Sequence, residues 1–144
     1  MSLEEIQIPK GWKLKKLSEV CSKITDGAHK TPTYVNDGIP FLRVKDIHFE
    51  QINWKNTKKI PKSEHAELIK RCKPEKNDLL YSKNGTIGLS KVVDWNDEFS
   101  IFVSLALLKP KKEQISSYFL KMFLDSSFAL TQTKKRSKSA TVTN

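Results

Sequence analysis

The run Phe99-Ser100-Ile101-Phe102-Val103-Ser104-Leu105-Ala106-Leu107-Leu108 decides the fold class. Within it, Ile101 to Leu108 is the longest strongly apolar window in the chain, far short of the roughly 20 residues that span a bilayer. Lys109-Pro110 closes the run after ten residues, so it predicts a central, buried β-strand rather than a helix or a membrane span. Just upstream, Asp78-Leu79-Leu80-Tyr81-Ser82 and Leu89 to Val93 flank a bend framed by Gly85 and Gly88, the pattern of a hairpin. Its plain reading is a turn whose glycines take positive φ. Lys83 and Asn84 sit at that bend and are candidates to project toward a ligand.

Further outward, Ile39 to Val44 is short, apolar and β-branched, hence a strand. Asp46 to Ile60 alternates weakly, with Phe49, Ile52 and Trp54 as inward residues. Ser63 predicts the cap of a helix over 64–71, with Ala66, Leu68 and Ile69 as its apolar side, ended by Pro74. Trp12 and Leu14 suggest a first strand, followed by one helical turn over 18–21. On the C-terminal side Ser116 caps a helix expected to reach about Leu130. There Phe119, Met122, Phe123, Ser126 and Leu130 form an aromatic stripe at i, i+3, i+4 spacing for the sheet, with Lys121 and Asp125 opposite. Residues 1–10 form a polar lead, 11–130 a single domain, and 131–144 a basic, Ser/Thr-rich segment, either solvated or contacting phosphate.

The chain has 144 residues, 26 basic and 16 acidic side chains and a net charge of +10, enough length for one soluble domain with its own core. The charge is polarised: residues 109–144 carry eight lysines or arginines against Glu113 and Asp125. Only Arg43, Arg71 and Arg136 are arginine, and a lysine-rich surface suits phosphate contact better than base reading. Cys21 and Cys72 are the two cysteines, with no partner at metal-ligand spacing, so a reducing cytoplasm is expected.

No catalytic constellation is legible in the sequence. His29, His48 and His65 are well separated, and no acidic residue has a lysine two positions later, as one nuclease core requires. Gly85-Thr86-Ile87-Gly88 lacks both a dinucleotide fingerprint and a phosphate-loop lysine. No cofactor, metal or catalytic residue is therefore expected. The most unusual stretch is Asp26-Gly27-Ala28-His29-Lys30-Thr31-Pro32. Asp26 can accept backbone N–H groups in a turn, and Gly27 permits a left-handed conformation. His29, Lys30 and Thr31 offer a base-edge reader, a phosphate contact and a hydroxyl donor, or else the loop only packs across the domain.

Several pieces in order resemble a target recognition domain of the DNA-specificity subunit of Type I restriction-modification systems. They are Trp12 to Leu17; Ile24 to Pro32; Gly38-Ile39-Pro40-Phe41-Leu42-Arg43; Asp46-Ile47; Asp78 to Ser82 with Gly85 to Gly88; and Phe99 to Pro110 with Tyr118-Phe119-Leu120. The resemblance implies an α+β fold, a curved, mostly antiparallel sheet with flanking helices. It also implies a non-catalytic reader of half of a split double-stranded DNA target, while separate subunits methylate and restrict DNA. The family's spacer helix is not recognisable before Asn144, so a truncated subunit, monomeric or weakly dimeric and unable to build the two-methylase scaffold, is expected. The candidate DNA-contacting set is His29, Lys30, Thr31, Tyr34, Arg43, Lys58, Lys59, Lys83 and Asn84, with Arg43 as the bidentate guanine contact unless Asp46 ties it up. The competing readings are a protein-interaction module whose charge is incidental, with residues 117–130 as a partner helix, and a truncated remnant with only non-specific DNA binding.

Overall fold

A computed structural model describes residues 6–142, so expectations for 1–5 and 143–144 lie outside the described residues. The long apolar run is two strands, not one: β6 (Ser100–Ile101) and β7 (Leu105–Pro110). Between them the chain turns, with Leu105 N–H donating to Phe102 O at 3.0 Å. The turn moves the chain from one sheet to another. A four-stranded antiparallel sheet has the order β1 (Cys21–Asp26), β7, β4 (Leu79–Ser82), β5 (Ser90–Val92). A three-stranded sheet has the order β3 (Lys58–Ile60), β2 (Ile39–Leu42), β6, with β2 and β6 parallel. Hydropathy could not locate the break, because both halves are buried and equally apolar.

Alternation along the strands explains why the run is apolar throughout. Leu80, Leu105 and Leu107 face the core between the sheets with Leu42, Ile101, Phe99 and Val93. Leu79, Val92 and Leu108 face the opposite side, where α3 (Ser117–Leu124) covers them with Leu120 and Leu124. A third cluster of Ala28, Phe41 and Ile60 lies under Leu68 at the end of α2 (Lys62–Leu68).

Several local expectations change. Trp12 and Leu14 form no strand; residues 12–16 are irregular, Trp12 rests against Phe119 with ring centroids 5.9 Å apart, and the helical turn that follows is α1 (Leu17–Val20). β2 stops at Leu42, and Val44–Ile47 is a short 3-10 helix. Phe49 is exposed, whereas Ile52 and Trp54 do pack on the core. α2 starts one residue before Ser63 without a side-chain cap, and it buries His65 rather than Ala66.

Ser116 caps α3 as its sequence predicts, Oγ accepting from Phe119 N–H at 3.0 Å. The helix ends at Leu124, however, and α4 (Ser127–Val142) begins beyond Ser126, running through the segment expected to be solvated. The expected stripe is also rotated. Ser117, Leu120 and Leu124 are buried, while Phe119, Met122 and Phe123 are exposed. Lys121 and Asp125, 2.7 Å apart, both reach Ser90 of β5 while staying partly exposed. α3 carries apolar residues on two adjacent stripes, and docking on β5 selects the one that lets Lys121 reach Ser90 O at 3.2 Å.

Candidate nucleic-acid interface

The Asp26–Val35 segment is fixed at both ends. Ala28 N–H donates to Ile101 O and Val103 N–H to Ala28 O, both at 2.9 Å, while Val35 N–H donates to Lys59 O at 2.9 Å. Thr33 N–H adds a bond to Glu64 Oε2 at 3.0 Å. The loop thus leaves the end of β1 in the large sheet and is pinned twice to the small one, at β6 and at its edge strand β3, leaving His29, Lys30 and Thr31 exposed between these anchors. Gly27 is required for a reason other than the expected one. Its φ is not positive; a Cβ there would lie 2.1 Å from Ile101 O, so the two backbones approach only because the side chain is absent.

Asp26 does not accept backbone N–H bonds here; it collects side chains from three elements. Oδ1 accepts from Arg71 Nη1 and lies against His29 Nε2, each at 3.0 Å, and Oδ2 accepts from Lys83 Nζ at 2.5 Å. Partial burial alone would raise its pKa, but the bonds from Lys83, His29 and Arg71 outweigh that, and the carboxylate is held well below its ordinary range. Arg71 also donates to Thr25 Oγ1 at 2.8 Å and Gly27 O at 2.7 Å, so it braces the base of the loop. Arg71 was missed as a site residue because nothing in its helix-end context links it to a loop 45 positions away.

Of the other candidates, Asn84 is exposed in the hairpin bend, where Gly85 and Gly88 do take positive φ. Lys58 lies over the Tyr34 ring, 5.4 Å from its centroid, and Tyr34 contacts Phe41. Lys59 follows Lys58 on the edge strand β3, so the two side chains leave the strand on opposite faces, Lys58 the more exposed. Arg43 is withdrawn as a guanine reader. It lies past the end of β2, its Nε is 3.3 Å from Asp46 Oδ2, its backbone N–H donates to the same oxygen, and its Nη2 is buried.

Neither cysteine nor histidine chemistry assembles. Cys72 is buried and its thiol is pushed up to about 11, and Cys21 is raised as well by burial. His65 is buried against Ser100 Oγ at 2.7 Å, within the packing of α2 on β6. No group of three or more metal-binding side chains occurs among the described residues. On the far side, Ile8, Trp12, Leu14, Leu17, Phe119 and Phe123 line an apolar groove of about 1040 Å³.

The residues thus build a two-sheet α+β domain with a doubly anchored, cation-bearing loop. The chain belongs to the family of Type I restriction modification DNA specificity domains, which it matches over residues 9–144. That family concerns DNA specificity rather than catalysis. The chain is 28% identical over 137 residues to the specificity subunit of the Type I restriction enzyme EcoBI from Escherichia coli, covering 93% of this chain and 29% of that subunit. Its fold is similar to the HsdS subunit from Thermoanaerobacter tengcongensis, with a TM-score of 0.56 and 22% identity over 84% of this chain and 29% of the other. A chain from a study of complex assembly and conformational transition in the type I R-M system gives a TM-score of 0.57 at 23% identity, over 85% of this chain and 29% of that one. The chain thus spans less than a third of the relatives it matches.

Proposed function

We propose that this chain reads one half of a split double-stranded DNA target as a target recognition domain, without catalytic residues of its own. In this reading the methylating and restriction subunits of a Type I assembly supply the chemistry. The observation that carries it is the doubly anchored loop, held by β6 at Ala28 and by β3 at Val35, which presents His29, Lys30 and Thr31 beside Lys83 in a chain of net charge +10. Rigid presentation favours a reading role because side chains already held in place lose little entropy on binding. The contacting set is His29, Lys30, Thr31, Tyr34, Lys58, Lys83 and Asn84, with Arg43 and Lys59 left out.

The test is titration of a labelled duplex between about 50 and 200 mM salt. A single domain binding mainly through phosphates is expected near 10⁻⁴ to 10⁻⁶ M, weakening steeply as salt rises. Affinity that does not respond to salt would overturn the proposal in favour of a protein-interaction module, since apolar association is not screened. Light scattering on the same samples is expected to show a monomer or a weak dimer.

A further inference from the structure

The cluster around Asp26 has more cations than its carboxylate can neutralise. Arg71 and Lys83 bring two cationic side chains to one carboxylate, so the group carries a positive charge in excess within 3.0 Å of a single side chain at neutral pH. Their side chains are 50% and 39% exposed, whereas that of Asp26 is 20% exposed. The carboxylate therefore sits behind the cations it holds. Of these cations Arg71 is committed to the fold, with three bonds to Thr25, Asp26 and Gly27. Lys83 uses one of its three ammonium donors on Asp26, and its own backbone N–H is anchored to Ser104 O at 2.9 Å.

Building on the DNA-binding reading above, we propose that Asp26 is a positioning residue that aims Lys83 at a backbone phosphate of the bound duplex, with Arg71 as the brace that fixes Asp26. An isolated lysine on a hairpin bend loses rotamer freedom when it meets a phosphate, and a lysine already tethered to a fixed carboxylate has lost much of it beforehand. His29, bound to the other carboxylate oxygen, ties the exposed loop to the same centre. One carboxylate thereby sets the spacing between the loop and the hairpin, two segments that are 57 positions apart where Asp26 meets Lys83.

Charge and positioning make opposite predictions for Asp26→Asn. The substitution adds one unit to the net charge of +10, so bulk electrostatics would tighten DNA binding. Positioning predicts weaker binding to a short mixed-sequence duplex, by about three- to tenfold at low salt. Lys83→Gln should reduce the slope of log affinity against log salt by about 0.9, the contribution of one phosphate. Lys112→Gln, an equal charge loss at an exposed residue outside the cluster, should leave the slope closer to that of the unaltered chain. The double variant Asp26→Asn/Lys83→Gln should bind no more weakly than Lys83→Gln alone, because the two act through one contact.

Tighter binding by Asp26→Asn, or a Lys83→Gln slope equal to that of Lys112→Gln, overturns the proposal. If Asp26→Asn fails to fold, as read by circular dichroism, the comparison of Lys83→Gln with Lys112→Gln still decides, since both are surface changes. Salt-independent binding by the unaltered chain would instead overturn the DNA-binding reading itself, so the two failures are distinguishable.

Discussion

The Asp26 end of the molecule and the groove between the N-terminal lead and α3 are built on opposite plans. At the first, charged groups from β1, the loop, the end of α2 and the hairpin satisfy one another and leave cations facing water. At the second, Trp12, Phe119 and Phe123 are 61%, 40% and 44% exposed, and the side chains beneath them, Leu120 and Leu124, form the covered core. The first surface is organised by directional bonds at fixed distances and the second by nonspecific contact. Substitutions at the first should therefore act through geometry, and at the second through buried area.

The sharpest break in that contrast is Gly27→Ala. The added Cβ would stand 2.1 Å from Ile101 O and 2.5 Å from Phe102 O, both backbone atoms that cannot rotate away. A loss of about 3 kcal/mol or more in a denaturant melt is expected, since overpacking against backbone displaces both β1 and β6. A change near zero would mean that the anchor of the loop is loose.

On the opposite face, Leu120→Ala is expected to cost about 2.5 kcal/mol, because Leu120 is 2% exposed and the neighbouring groove lets the site relax in part. Met122→Ala, two residues away and 64% exposed, should change stability by less than about 0.5 kcal/mol. Comparable losses from both would restore the stripe through Phe119, Met122 and Phe123 as the sheet-facing side of α3.

The smallest effect concerns His65, which joins α2 to β6 beneath the loop. Burial lowers its pKa below 6.5, while Glu98 pulls weakly the other way. The unfolded chain takes up a proton near the ordinary value and the folded one resists it. Stability from this residue is therefore complete above about pH 6.5 and falls as pH drops through the folded value, by at most about 1.4 kcal/mol per pH unit. Denaturant midpoints at about pH 7.5 and 5.5 measure it, and His65→Gln should flatten that segment of the profile.

Part of the candidate site was legible because its causes are local. Asp26 through Thr31 stands out by composition, and the two glycines of the hairpin bend bear the positive φ that their spacing implies. Arg43 is misplaced by the sequence because an arginine within an expected strand over 39–44 looks rigidly presented, whereas the strand stops at Leu42 and the short helix that follows folds Asp46 back onto it. Lys58 and Lys59 read as one basic patch until strand geometry sends them to opposite faces.

The sequence by itself determined the features that close within a few residues: the Ser116 cap on Phe119, the β4–β5 hairpin, and the helical turn before β1. It also determined that residues 99–108 would supply core on both sides of their turn, since no other environment suits so apolar a run. Only the tertiary structure decided where that run breaks, which stripe of α3 is covered, and that Arg71 and Lys83 meet on Asp26 across 45 and 57 positions. Periodicity records which side of an element is apolar, but it carries no mark of the partner. The choice between two similar stripes, or the pairing of distant charges, follows from the mutual fit of elements that the chain brings together only when it folds.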